Sequence, residues 1–379
     1  MNASATALDT HNLVTVTKAT KIIKKYAQAH AKHPELAHKI PALMFRGAPG
    51  VGKSSLIRSI AEELGIGFVD VRLAQMERVD FQGLPSVEKK QTSWNIPSFW
   101  PTDPKSKGII LFDEITSAPQ DVQVAAYQIV LDRALPNADY ELPPGWLIVA
   151  AGNRAIDKAV VKAMSSALAN RFLHMELAAD AESWVEWGVR NGIHPSVTGF
   201  IQYRPALLFK MEGENLEQGW PSPRSWERVS TNIDLFNDDV DILRSAVYGL
   251  IGTGVGVEFM EFYRMSAKFD DILQVLTNPK KEFKMPEKAD ERYAVVSAVI
   301  YHLWNGETEA EQNKRVDGFY RILDKLTPDF AALLVKGAMM GNDKVKPMEA
   351  MNAICSNKHY DAAAEKFDKA FSQQYAALD

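Results

Sequence analysis

A chain of 379 residues has room for roughly 2.5 domains at about 150 residues each, so it can bury a large core and still carry a second module. Apolar residues make up 46% and charged residues 24%, and 43 Lys and Arg against 48 Asp and Glu leave a net charge of −5, a balance that excludes wholesale disorder. With a pI near 6.0 there is no positive surplus of the kind a nucleic-acid wrapper carries, although a local basic patch stays open.

The single cysteine, Cys355, excludes an intramolecular disulfide framework and a multi-cysteine zinc site, and it fits a reducing compartment; a cytoplasmic location is expected. It reads as a small buried hydrophobe rather than a nucleophile. Met1 to Asn12 are polar and lack the apolar stretch of a secretory signal, and no run reaches the ~18 apolar residues of a membrane helix, so no membrane partner is expected.

In chain order, the first element is an amphipathic helix over 15–33, with Ile22, Ile23 and Tyr26 spaced like its buried side. Lys18, Lys21, Lys24, Lys25 and Lys32 make a solvated face, or a basic contact surface. Short apolar runs then alternate with helical stretches, as in a mostly parallel α/β sheet: Ala42–Phe45, Gly67–Val71, Gly108–Phe112, Trp146–Ala150 and Phe172–Leu177. Between the second and third lies an irregular insert, 74–107, in which prolines alternate with Phe81, Trp94, Phe99 and Trp100. Such a long aromatic loop is more often a functional insertion than a plain connector, the alternative being that Trp94, Phe99 and Trp100 simply pack under a loop. After residue 180 the strand signals fade, and Trp184–Gly192, Ser222–Leu235 and Arg292–Trp304 read as helices. The expected division is an α/β domain over 1–180, an all-α lid over 181–275 and, past a connector at Pro279 to Glu291, a helical extension over 276–379.

Three stretches carry chemistry. Gly47-Ala48-Pro49-Gly50-Val51-Gly52-Lys53-Ser54, followed by Ser55, fits G-x-x-x-x-G-K-[ST] between a strand and a helix. Its glycines let backbone N–H groups turn inward around a triphosphate, Lys53 brings a positive charge to the outer phosphates, and the Ser54 hydroxyl can ligate Mg²⁺. Downstream, the apolar run Gly108–Phe112 ends in Asp113 and Glu114. Asp113 would complete the magnesium shell and Glu114 would polarise the attacking water. The next strand ends in Gly152-Asn153-Arg154, where the Asn153 amide would meet the γ-phosphate and the water, if it is more than a turn former.

Together with Leu168-Ala169-Asn170-Arg171-Phe172 and Ser222-Pro223-Arg224, these stretches in this order resemble an AAA+ ATPase, and more narrowly the MoxR-related group, over about residues 40 to 265. The resemblance implies a P-loop α/β core with an all-α lid, ATP and Mg²⁺ as cofactors, Lys53 and Ser54 as Walker A residues, Asp113 and Glu114 as the Walker B pair, and Asn153 as first sensor. Arg171 matches the arginine finger that reaches a neighbouring subunit, and Arg224 matches the second sensor. The insert 74–107 and the turn-rich Asn137–Gly145 stand where such proteins carry a helix-two insert and a hairpin. The order Asn153-Arg154 departs from the more familiar Asn-Pro, which loosens the subgroup assignment.

What the resemblance implies about partners is a homo-oligomeric ring, expected to be hexameric, and a protein client remodelled by ATP hydrolysis, beside a partner with a von Willebrand factor A domain. Two other readings stay open: a nucleotide-dependent binding switch, against which Glu114 and Arg171 speak, and a nucleic-acid-associated motor or loader, against which the net charge speaks.

Overall fold

The computed structural model describes residues 12–88, 91–135, 137–157, 162, 164–211, 218–269 and 271–375; most of the polar stretch Met1 to Asn12 lies outside them. Each apolar run of the first half is a strand. The strands are β1 (Leu13–Val14), β2 (Ala42–Arg46), β3 (Gly67–Arg72), β4 (Leu84–Glu88), β5 (Gln91–Asn95), β6 (Lys107–Asp113), β7 (Gly145–Gly152) and β8 (Phe172–Leu177). Six of them form one sheet in the order β1-β8-β2-β7-β6-β3, parallel at every pairing, while β4 and β5 make a separate antiparallel hairpin. A parallel strand covered on both faces needs apolar residues at every position, and β6 from Gly108 to Phe112 and β7 from Trp146 to Gly152 are buried throughout.

The helices of this half are α1 (Val16–Lys32), α2 (Lys53–Leu64), α3 (Arg78–Gln82), α4 (Gln120–Asp132) and α5 (Ser166–Ala169). The buried side of α1 is Ala19, Ile23, Ala27 and His30, not the Ile22–Ile23–Tyr26 set expected; Ile22 and Tyr26 are half-buried at its margin. Lys18, Lys21, Lys25 and Lys32 are exposed, and Lys24 pairs with Glu63 of α2 at 2.5 Å. His30 reaches the carbonyl of Pro144 at 2.9 Å, and since a carbonyl only accepts, Nδ1 carries the proton.

The insert is not irregular. It holds α3 and the β4–β5 hairpin, and its aromatics close one side of the sheet core. Trp100 is buried edge-on to Phe81 (centroids 5.2 Å apart) and to Phe112 of β6 (6.3 Å), and its indole N–H donates to the Phe81 carbonyl. Packing under a loop thus accounts for Phe81 and Trp100, whereas Leu84 and Val87 on the hairpin are 61% and 77% exposed.

The chain divides into two compact units, the second beginning at Asp180. Among the described residues its regular elements are all helical: α6 (Ala181–Arg190), α7 (Pro195–Tyr203), α8 (Pro223–Leu235), α9 (Val240–Ile251), α10 (Thr253–Ser266), α11 (Ile272–Thr277), α12 (Ala289–Leu303), α13 (Glu309–Leu323), α14 (Pro328–Met339), α15 (Pro347–Cys355), α16 (Tyr360–Lys366) and α17 (Asp368–Tyr375). Its largest core gathers Ile272 and Leu276 of α11, Val299 and Leu303 of α12, Phe319 of α13 and Leu334 of α14. The segment 278–288 lacks regular structure, yet Phe283 and Met285 within it pack on that core. Cys355 is half-buried against the same core rather than fully enclosed.

Candidate nucleotide site

The loop between β2 and α2 turns through Gly50 at φ 78° and Gly52 at φ 91°, the left-handed region where a Cβ is strained. Gly52 caps α2 without a side-chain hydrogen bond, which leaves the first-turn N–H groups available to an anion. Ala48 and Val51 are buried, Pro49 and Gly50 half-buried, and Ser55 is exposed on the outer side of α2.

Because neighbouring strands run parallel, the ends of β2, β6 and β7 lie along one edge of the sheet, and this edge gathers the predicted residues. Lys53 is only 8% exposed; its Nζ donates to the carbonyls of Gly47 (2.8 Å) and Ala48 (3.1 Å) and to Asn153 Oδ1 (3.2 Å). Ser54 Oγ donates to Asp113 Oδ2 at 2.5 Å, and Asp113 Oδ1 accepts the backbone N–H of Glu114 at 2.9 Å. Glu114 itself has φ 56°, an unusual backbone for a non-glycine residue at the end of a strand.

Asp70 of β3 stands beside this cluster and escaped the sequence reading, whose only signal for it was a single acid inside the run Gly67–Val71. Burial, and after it the charge of Asp113, pushes the Asp70 carboxyl above the usual range, against the pull of Arg72 and Arg58. Its Oδ1 is buried without a partner. A raised acid beside a second acid is a place that a cation would relieve, and the Ser54 hydroxyl and the Asp113 carboxylate are oxygen donors of the kind Mg²⁺ takes. Among the described residues no cluster of three or more His, Cys, Asp or Glu could hold a metal.

Asn153 is fixed from both sides. Its N–H donates to Thr116 Oγ1 at 3.0 Å, and a Cβ on the preceding Gly152 would lie 2.6 Å from that threonine, so only glycine allows the approach. Arg154, next along, forks onto the buried Asp157 and reaches Glu176 of β8 at 2.6 Å. The hydrogen bonds it donates to Asp157 first, and to Glu176, hold its pKa above the ordinary arginine value despite burial. Neither Thr116 nor Asp157 was singled out from sequence.

Arg171 is not at this edge. It precedes β8, and the register sets Phe172 beside Ala42, at the start of β2, whereas Gly47 follows the end of β2. Five residues of strand put about 17 Å between the two levels. Here Arg171 lies over the Tyr127 ring at 4.3 Å, and its Nη1 donates to the Ala167 carbonyl at 2.6 Å. Arg224 belongs to the second unit, exposed in the first turn of α8, whose N-cap is Ser222. No helix among the described residues is long and apolar enough to cross a membrane.

Residues 42–172 match the family model described as the AAA domain, dynein-related subfamily. Over 199 residues the chain is 28% identical to replication factor C subunit 2 of Schizosaccharomyces pombe, covering 49% of this chain and 56% of that protein, so it spans little more than half the length of this relative. Among solved structures, a RuvB variant from Thermotoga maritima is 15% identical over 75% of this chain and 84% of its own, at a TM-score of 0.35. NtrX from Brucella abortus in complex with ATP is 14% identical over 64% and 67%, at a TM-score of 0.32. With the phosphate loop between β2 and α2, the acidic end of β6 and the all-parallel order of the sheet, the chain has the AAA+ P-loop fold, and the AAA-domain likeness lies in its residues 42–172.

Proposed function

We propose that this protein hydrolyses ATP between neighbouring copies of itself in a ring, expected to be hexameric, and that it remodels a protein client or complex as the MoxR-related group does, beside a von Willebrand factor A domain partner. The observation that carries the reading is the meeting of Lys53, Ser54, Asp113 and Asn153 at one sheet edge, with Arg171 at the other.

In this reading the loop Gly47–Gly52 and the uncapped start of α2 bind the phosphates through backbone N–H groups, and Lys53 turns its ammonium from carbonyls to the outer phosphate oxygens. Mg²⁺ held by Ser54 and Asp113 neutralises charge on the phosphate oxygens. Glu114 orients and polarises the attacking water, and Asn153 holds the γ-phosphate without competing for the metal. Arg171 cannot serve the site of its own chain from the far edge, so it serves a neighbour's, where a guanidinium stabilises charge spread over the equatorial oxygens. Arg224 acts as the second sensor from the helical unit. The region 181–275 is the lid and 276–379 an extension, and the division 1–180 keeps the catalytic core together.

The test is Mg²⁺-dependent ATP hydrolysis per subunit across a protein concentration series, with sizing at each point. Specific activity that rises and then levels as the assembly forms supports a shared site; full activity from a sized monomer would rule it out.

The likeness to a replication factor C subunit favours a second reading, a motor or loader that works on nucleic acid, with the exposed lysines of α1 as the contact surface. Filter binding against a salt series separates the two: saturable affinity at physiological salt with a defined salt slope supports the loader, and its absence removes it.

A further inference from the structure

Arg154 follows the sensor Asn153 directly, yet its guanidinium is used up within the chain. Nε donates to both oxygens of Asp157 (3.1 and 3.0 Å), Nη2 to Asp157 Oδ1 (2.6 Å) and Nη1 to Glu176 Oε1 (2.6 Å). The backbone N–H of Arg154 also donates to Asp157 Oδ2 at 3.0 Å. Asp157 is buried, with its side chain 1% exposed, and Glu176 stands on β8, two strands from β7 in the sheet. The ring so closed runs from the end of β7 through Arg154 and Asp157 and across to β8, with Asn153 at its start.

From this geometry we propose that Arg154, Asp157 and Glu176 form a clamp that positions Asn153, so that Arg154 is a positioning residue and not a phosphate ligand. The inference rests on the reading of Asn153 as the group beside the γ-phosphate. A strand end without such a clamp would leave Asn153 tethered only by its N–H to Thr116 and by Lys53. A bidentate guanidinium–carboxylate pair, half out of water, fixes orientation as well as distance, which an ammonium does not. The basic residue beside the site therefore adds no charge to the phosphates: its own is matched by Asp157 and exceeded once Glu176 is included.

The first measurement is residue-resolved amide hydrogen exchange over 107–113 and 145–157 in the full chain, for wild type, Glu176→Gln and Asp157→Asn. The Asn153 and Arg154 amides are expected to exchange roughly tenfold faster in both variants, with the β6 amides within about twofold of wild type. Unchanged exchange at 153 and 154, or equal acceleration through β6, overturns the clamp. This readout needs no turnover, so it decides the matter even if the wild-type chain proves not to hydrolyse ATP, a result that would count against the function proposed above and not against the clamp.

Kinetics supply the second arm. In Asp157→Asn, kcat is expected to fall roughly tenfold with KM within about threefold, and the Asn153→Ala, Asp157→Asn double variant to be no slower than Asn153→Ala alone, because both remove one element. Additive losses overturn the positioning role. Arg154→Lys is expected to behave like Asp157→Asn, and full activity in it would equally overturn the bidentate requirement.

Discussion

Ser54 Oγ and Asp113 Oδ2 meet at 2.5 Å, a hydrogen bond between the first turn of α2 and the end of β6 that links residues 59 apart in the chain. A hydroxyl and a carboxylate in contact are two of the hard oxygen ligands that Mg²⁺ takes. Ser54→Ala removes one of them and is expected to raise the Mg²⁺ concentration for half-maximal hydrolysis roughly tenfold, while nucleotide binding in EDTA stays unchanged. A Mg²⁺ titration of ATPase activity checks it, and an unshifted midpoint would remove Ser54 from the metal shell.

Lys53→Ala and Glu114→Gln separate binding from chemistry. The first takes away the cation that holds Gly47 O, Ala48 O and Asn153, and ATP binding is expected to be lost, as a fluorescent-nucleotide titration would register. The second keeps shape and loses the charge that polarises water: binding persists and turnover falls by roughly 10² or more. Full turnover in Glu114→Gln would assign the water to another group. At φ 56° Glu114 also holds strained backbone, so Glu114→Gly is expected to relieve about 1 kcal/mol and raise the melting temperature while abolishing hydrolysis.

Arg171 and Tyr127 make a third case. Arg171→Ala is expected to bind nucleotide but not hydrolyse it, and to regain activity when mixed with Lys53→Ala chains, whose intact finger completes the good pocket. Activity that stays flat across mixing ratios would end the assignment in trans. Tyr127→Phe keeps the ring under the guanidinium and is expected to be near wild type, whereas Tyr127→Ala frees Arg171 and lowers kcat severalfold.

The pH dependence of stability follows from two buried imidazoles. Burial lowers His30 to about 4, and likewise His194 in the second unit, where the charge of His302 adds to the effect. The unfolded histidines titrate near 6.5, so between 6.5 and 4 the unfolded chain binds more protons and stability falls as the pH drops, at a slope approaching about 1.4 kcal/mol per pH unit for each group. Melting temperature measured from pH 7.5 to 4.5 should decline below 6.5. In His30→Gln, which can still donate to the Pro144 carbonyl, the decline should be shallower; an unchanged slope would mean that His30 is not a source of it.

The sheet was legible because its central parallel strands β2, β6 and β7 are buried on both faces and read as unbroken apolar runs, while β3 and β8, more open, still start from short apolar stretches: the runs from Ala42, Gly67, Gly108, Trp146 and Phe172 became β2, β3, β6, β7 and β8 within a residue or two. The phosphate loop was legible because it needs glycine and lysine at fixed spacing. What stayed hidden depends on contacts between distant segments. Nothing local marks Thr116 as the partner of the Asn153 N–H, or Glu176 as the far end of the Arg154 clamp. Leu13 and Val14 are too short to read as a strand until β8 offers its edge. The insert looked irregular because its apolar residues follow no single period: Phe81 and Trp100 answer to the sheet core, and Leu84 and Val87 to solvent. The stripe on α1 was displaced by one buried histidine, since a polar residue at His30 hides a helical period that continues through it.

The strand register, which sets Arg171 at the start of β2, about 17 Å of strand below the level of the phosphate loop, gives the α/β unit a head and a tail. If each finger acts on the next chain, contacts are heterologous, and n chains in an open row make n − 1 complete sites, with one pocket and one finger idle at the ends. Closing the row adds the last site without adding a chain. Turnover per chain then counts gaps: a hexamer that springs open at one seam loses a sixth of its sites at once, and anything that wedges that seam, client or nucleotide state, acts on rate through geometry alone.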